Sequence, residues 1–217
     1  MPDVSWETRL DRVRMEVPQC PRELMVSEII RVARDFCQHS RAYQFEVTDE
    51  SILQLVSDYD IEVPSAQVQP ISVEYLSVDG VESEFKDLSW IQQFIGNNWR
   101  ERSADDFRFF TQIQPLAITF PCVPTVNGTV GGLHYRVSLK PKLDSTTIDE
   151  TFMEEWQEAL EVGTKAHLMA MDGKPWHRQT RSVFLMGMYR AERSRARLRV
   201  NRSYGNANQR VIAPKFA

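Results

Sequence analysis

The run from Thr147 to Asn201 constrains the fold more than any other part of the chain. Phe152, Trp156, Ala159, Leu160, Gly163, Ala166, His167 and Ala170 recur in steps of three and four. A helix places such steps on one side. Glu154, Glu155, Glu158 and Glu161 are expected on the opposite side, and Asp149 and Glu150 in the first turn, where the helix dipole favours negative charge. Met171-Asp172-Gly173-Lys174-Pro175-Trp176 breaks the pattern. Gly173 can take the left-handed conformation that closes a helix, and Pro175 can open the next. A second helix then carries Trp176, Val183, Phe184, Met186, Gly187 and Leu198, and its far half is loaded with arginine. The sequence thus predicts a helical hairpin as the frame of the fold.

Upstream, Trp6, Leu10, Val13 and Val17 predict a short first helix ended by Pro18 and Pro21. Pro21 can start a second helix carrying Leu24, Met25, Ile29, Ile30, Ala33, Phe36 and Cys37, running to about His39. Core packing accounts for both stripes. Near Ala42 the period changes to alternation, with Phe45 and Val47, then Ile71, Val73, Tyr75 and Ser77, on strand-like positions. Ile52 to Val56 fits a buried strand or a helical turn. Val78-Asp79-Gly80-Val81 reads as a hairpin turn, and Asp87 as the cap of a short helix to Ile95 with Leu88, Ile91, Gln92 and Ile95 on one side. Phe107 to Gln112, Leu116 to Phe120 and Leu133 to Leu139 read as further strands, the last ended by Lys140-Pro141. The expectation is an α+β fold: N-terminal helices (residues 1–41), an inserted antiparallel β module (42–146), a C-terminal helical hairpin that completes a bundle (147–203), and an extended tail (204–217).

A chain of 217 residues can bury a substantial core. No apolar run approaches the roughly 20 residues of a membrane helix, and Met1 to Glu7 lacks a signal pattern, so the expectation is a protein made in a cytosol and without a membrane. Cys20, Cys37 and Cys122 are odd in number and lack C-x-x-C spacing, against a disulfide framework or a zinc site. Charge is segregated. Of 26 basic and 30 acidic residues, eleven basic and one acidic lie from Lys174 to Ala217. The last fifth is therefore about +10 and the body about −14, an asymmetry that suits an acidic partner for the C-terminal part.

Catalytic signals are weak. His39, His134, His167 and His177 lack metalloprotease spacing, and Gly128 to Gly132 lies between strands without a following Gly-Lys-Ser/Thr. Asp58, Asp60, Asp105 and Asp106 could hold a divalent cation in principle, but lone acidic pairs in loops are usually solvated. Ser51, Ser77 and Ser138 lie in no nucleophile elbow. The reading is a non-enzyme with no cofactor and no metal. The arginines are the stronger signal: Arg190, Arg193 and Arg197 share one side of the last helix, and Arg195, Arg199 and Arg202 an adjacent one. A helix C-terminus favours one or two cations by itself, not six. A solvated basic face and an acidic partner are the two explanations, and DNA contact would be to phosphate. Tyr204, Val211, Ile212 and Phe216 in the tail form an adhesive segment that can add a strand to a partner or fill its groove.

The chain resembles the head-to-tail adaptors of short-tailed bacteriophages, also called connector or tubular tail proteins. The resemblance is carried by Ser27-Glu-Ile-Ile-Arg-Val-Ala-Arg-Asp35, Val137-Ser-Leu-Lys-Pro141, Glu155-Trp156-Gln157-Glu158-Ala159-Leu160, Lys174-Pro175-Trp176 and Lys215-Phe216-Ala217, in the same order across nearly the whole chain. The six-arginine helix end and the acidic stretch before Pro18 are not part of it. It implies a structural protein of the virion head–tail junction: a homo-oligomeric ring, usually of twelve copies, that seats the tail nozzle protein under the portal protein and surrounds the channel for genomic DNA. Arg190, Arg193, Arg195, Arg197, Arg199, Arg202, Tyr204, Val211, Ile212 and Phe216 are then the candidates for portal contact, with non-specific DNA contact possible along the channel. Two other readings stand beside it: a DNA-binding accessory protein that uses the basic helix, disfavoured by the acidic net charge of −4, and a hydrolase acting through Asp58, Asp60, Asp105 or Asp106.

Overall fold

A computed structural model describes residues 3–201. In chain order the elements are β1 (Asp3–Ser5), a 3-10 turn (Trp6–Arg9), α1 (Asp11–Glu16), α2 (Arg22–Ser40), β2 (Gln44–Glu50), β3 (Asp58–Asp60), β4 (Val68–Val78), β5 (Val81–Glu82), β6 (Glu84–Phe85), α3 (Leu88–Phe94), a second 3-10 turn (Trp99–Glu101), β7 (Phe109–Phe110), β8 (Ala117–Thr119), β9 (Leu133–Pro141), β10 (Thr147–Asp149), α4 (Glu150–Ala170) and α5 (Gln179–Asn201). Helices and antiparallel sheets are combined, so the class is α+β.

Helix α2 starts where Pro21, with φ −58°, ends the preceding turn, and stops where Arg41 turns left-handed at φ 57°. Its buried side includes Met25, Ile29, Val32, Ala33 and Phe36. Helix α4 begins at Asp149, whose carboxylate accepts the Phe152 amide at 2.9 Å, satisfying one of the helix's orphan donors. The two helices meet through Phe36, whose ring centroid lies 5.2 Å from that of Trp156 and 6.4 Å from that of Tyr189 on α5. Burial of side chains of this kind stabilises by about 1.5–3 kcal/mol each. At Gly163 all three helices converge: a Cβ there would sit 2.6 Å from Val32 Cγ1 and 2.8 Å from the Tyr189 ring.

The main sheet has the order β2-β9-β4-β5, all antiparallel, with β9 central between two long neighbours. Leu133, Tyr135, Val137 and Leu139 alternate along β9 and are fully buried. Asp79 and Gly80, both at positive φ (51° and 78°), form the tight turn between β4 and β5. Two short pairs flank the sheet, β3 with β8 antiparallel and β6 with β7 parallel. Strand β1 pairs with β10 and so ties the start of the chain to the entry of α4. One continuous buried core runs from Trp6 through α2 and the sheet to Tyr189 and Ala196.

Several local expectations are corrected. The first apolar stripe is buried as expected at Trp6, Leu10, Val13 and Val17, but a 3-10 turn and α1 share it, broken at Leu10. Ile52 to Val56 is neither strand nor helix. Leu55 takes φ 65°, which no strand permits, and is 74% exposed, while Ile52 alone of the run is fully buried. Phe107 to Gln112 forms strand only at Phe109–Phe110, and the β6–β7 pairing departs from an all-antiparallel module. Thr147 to Asp149 is strand, because it completes the pair with β1. Only Ile91 of the expected stripe on α3 is buried. Glu161 is buried, not solvent-facing; it accepts from the Gln157 amide at 2.6 Å.

The break between α4 and α5 also differs in detail. Helix α4 ends at Ala170 before Gly173, which does take φ 69°. Pro175 does not open the next helix, and α5 begins four residues later, at Gln179. Trp176 is buried in the connection and is not part of α5.

Candidate functional site

Helix α5 is anchored along one side and open along the other. Its buried residues are Ser182, Leu185, Tyr189 and Ala196. The Ser182 hydroxyl donates to the Ala166 carbonyl at 2.7 Å, fixing the first turn to α4. Farther on, Arg193 donates to Asp35 on α2 at 2.6 Å, with its guanidinium carbon 5.7 Å from the Tyr189 ring centroid. Arg199 pairs with Glu155 on α4 at 3.0 Å and lies over Trp156 at 5.8 Å. Arg181 lies 3.7 Å from Glu16, which also accepts from Lys165 at 2.8 Å. The Lys165 hydrogen bond, opposed by burial and reinforced by the charge of Lys165 and then of Arg181, holds the Glu16 carboxyl below its ordinary value.

These contacts divide the arginines. Arg193 and Arg199 serve the fold: each clamps α5 to a neighbouring helix. Arg195 pairs with Glu192 on its own helix and is 73% exposed at the side chain. Arg190 and Arg197 have no side-chain ion pair or hydrogen bond among the described residues and are exposed. They lie seven residues apart, so they stack on one flank about 10 Å from each other. Arg202, Tyr204, Val211, Ile212 and Phe216 lie outside the described residues.

The outer side of α5 shows a feature that the arginines overshadow in the sequence. Thr180, Phe184, Gly187, Ala191, Ser194 and Leu198 follow steps of four and three, and all are exposed. Val183 and Met188 border the same strip and are exposed too, and Phe184 is 59% exposed. Val183, Phe184, Gly187 and Leu198 form the outward side of α5, whereas Ser182, Leu185, Tyr189 and Ala196 pack inward. The strip spans about 27 Å of helix. Its spacing is that of a coiled-coil seam, with small residues in the middle, where a partner backbone can come close, and large ones at both ends. Arg190 and Arg197 stand on one flank, Arg181 and Arg195 on the other. A second α5 laid against this seam would oppose arginine to arginine, whereas carboxylates beside apolar groups would complement it.

The acidic residues weighed for metal chemistry do not converge. Asp58 accepts from the Thr119 hydroxyl at 2.5 Å, Asp105 accepts the Thr125 amide at 2.7 Å, and Asp106 pairs with Arg108 at 2.8 Å. Their hydrogen bonds, from Thr125 to Asp105 and from Arg108 to Asp106, hold both carboxyls below the ordinary value. Among the described residues no group of three or more His, Cys, Asp or Glu is placed to hold a metal ion, and no helix is long and apolar enough to cross a membrane. His167 lies 3.4 Å from Glu28, joining α4 to α2. The contact with His167 is the main cause that keeps the Glu28 carboxyl below its ordinary value, against burial.

No family model matches the chain and no curated protein matches it.

Proposed function

We propose that the chain is a non-catalytic assembly protein of a tailed-phage virion: a head-to-tail adaptor whose copies form a ring, of about twelve by the family resemblance, between the portal protein and the tail nozzle protein, around the path of the DNA. In this reading residues 1–41 and 147–203 build one helical bundle, the β module stands between them, and residues 204–217 extend from the bundle to the portal. The protein is made in the host cytoplasm and resides at the head–tail junction.

The observation that carries the reading is the two-sided character of α5. One side is locked into the core. The other offers a seam about 27 Å long, flanked by arginines of which Arg190 and Arg197 have no intramolecular partner among the described residues. A helix face of this size left to water suits a protein whose binding surface is completed by another. The charge supports a protein partner. The body, at about −14, repels DNA, while the basic end attracts an acidic rim.

The test is the native mass of the purified chain alone and mixed with the portal protein of the same genome. The expected result is a large complex with many copies per portal ring. Deleting Tyr204–Ala217 is expected to abolish portal binding and leave the fold intact; unchanged binding removes the tail from the interface. The second reading, DNA binding through Arg190 and Arg197, predicts a monomer in both samples and DNA affinity that falls steeply with salt.

A further inference from the structure

A cleft of about 450 Å³ lies beside β4, away from the α5 seam. Its walls are Ile71 and Val73 of β4, Phe85 of β6, and Ile113 and Pro115 of the loop after β7, with Arg41 at the rim. The volume is within the usual range of ligand sites, about 300–1,000 Å³. The polar groups at its border are already engaged. Gln112 accepts the Val73 amide at 3.3 Å and donates to the Pro115 carbonyl at 2.8 Å, and Arg41 donates to Glu74 at 2.7 Å. What the cleft offers an occupant is therefore apolar, and its apolar groups are left wet: Phe85 is 54% exposed and Ile113 39%. Beside it, β5 pairs only with Ser77 and Val78 of β4, so the rest of that strand has no strand neighbour on the side away from β9 among the described residues.

The course of α5 points to the occupant. Tyr189 and Arg193 contact Asp35, and Arg193 lies 3.4 Å from His39 Nδ1. Helices α2 and α5 thus run side by side in the same direction. Helix α2 ends at Arg41, which borders the cleft. Helix α5 continues eight residues past Arg193, about 12 Å, and so delivers the chain at the end of the molecule where the cleft begins. The following nine residues, 202–210, can span up to about 30 Å. After them come Val211, Ile212 and Phe216, the large apolar groups of a segment whose one charged residue is Lys215.

We propose that the cleft receives the same chain's segment Val211–Phe216, with Ile212 and Phe216 as the side chains that fill it. Segment and cleft match in chemistry, apolar against apolar, and Pro214, which lacks an amide donor, is tolerated in a chain that lies along a strand edge. The cleft then covers the adhesive segment until another protein competes for it. This inference rests on the cleft and the tail sequence, and it stands or falls apart from the adaptor reading.

The experiment uses the full chain with Phe216→p-benzoylphenylalanine, irradiated as an equal mixture of light and heavy-isotope protein and mapped by peptide mass. The expected cross-links join residue 216 to the peptides that hold Ile71–Val73, Phe85 or Ile113, and join light to light and heavy to heavy only. Phe85→Glu and, independently, Ile113→Glu are each expected to lower that yield about tenfold, the effect of losing one large apolar contact, with the far-UV spectrum unchanged. Cross-links to the α5 seam or elsewhere, light-to-heavy products, or no cross-link at all overturn the proposal. Portal binding is read in a separate sample, so failure of one idea does not mask the other.

Discussion

The Tyr189 hydroxyl lies 2.8 Å from Asp35 Oδ2 and 3.1 Å from the Val32 carbonyl oxygen, so one buried phenol joins α5 to both the side chain and the backbone of α2. Arg193 donates to the same carboxylate oxygen from the next turn. Burial alone raises the Asp35 carboxyl, but the hydrogen bonds from Tyr189 and Arg193 and the charge of Arg193 outweigh it and leave the group below its ordinary value of 3.8. Tyr189→Phe keeps the ring packing and removes one charge-assisted bond. It is expected to cost about 1–2 kcal/mol in denaturant unfolding, and Arg193→Ala about 1–3 kcal/mol. If the two losses add without coupling, Asp35 is not the shared anchor.

Gly163 tests the convergence of the three helices. Alanine is the better helix former by roughly 0.5–1 kcal/mol in a helix interior. Here its methyl would press on Val32 and Tyr189, both buried and without room to move aside. Overpacking of this kind costs about 1–3 kcal/mol. Gly163→Ala should therefore lower stability by about 1–2 kcal/mol. A gain in thermal midpoint would show that α5 sits farther from α4 than described.

The long helices were legible because their buried faces obey the helical period without interruption: α2 and α4 fall where Ile29, Phe36, Phe152 and Leu160 place them. Helix α5 was legible as a helix but its orientation was not. Val183, Phe184, Met188 and Leu198 point outward, and the inner side is held by Ser182, Leu185, Tyr189, Ala196 and the arginine clamps, a division that the run of apolar residues does not reveal. The role of Arg193 depends on Asp35, 158 residues earlier, and no local pattern reveals such a pairing. The heptad-like steps from Thr180 to Leu198 were in the sequence and were masked by the arginines around them. The break at Ile52 to Val56 was illegible because Leu55 adopts a backbone conformation that its residue type does not signal.

Stability should depend on acid in two opposite ways. Glu16, Glu28 and Asp35 are held below their ordinary values of 4.5, 4.5 and 3.8, by Lys165, by His167, and by Tyr189 with Arg193 against burial. A depressed carboxyl stabilises fully above its ordinary value, and that contribution is lost as pH falls through the folded value. The helix contacts should thus weaken below about pH 4.5. Glu50 does the reverse. Burial first, then the charges of Glu62, Asp49 and Asp60, raise its carboxyl above 4.5, against the lowering influence of Tyr135. Its contribution is full at low pH and is lost as pH rises through the raised value. Glu50→Gln is expected to raise the urea midpoint at neutral pH and leave the acid limb unchanged. A midpoint that drops at neutral pH would assign Glu50 a stabilising partner.

The last prediction separates binding from folding among arginines a few residues apart. Arg190 and Arg197, on one flank of the seam, have no side-chain ion pair or hydrogen bond among the described residues, whereas Arg193, on the same helix between them, is clamped to Asp35. Charge reversal at an exposed, unpaired position changes stability by no more than about 0.5 kcal/mol. The double variant Arg190→Glu, Arg197→Glu should therefore keep the wild-type melting curve. Against the proposed acidic partner it replaces two attractions with two repulsions, and affinity for that partner should fall at least about tenfold. The doubly lysine-substituted chain keeps both charges and should retain most of the binding. Arg193→Glu sets a carboxylate against Asp35, so it should lower the melting temperature and reduce binding only in proportion to the fraction unfolded. Thermal unfolding and a partner titration on the three variants give the answer. Full binding by the double glutamate variant would remove the arginine flank from the interface and leave the apolar seam alone to explain it.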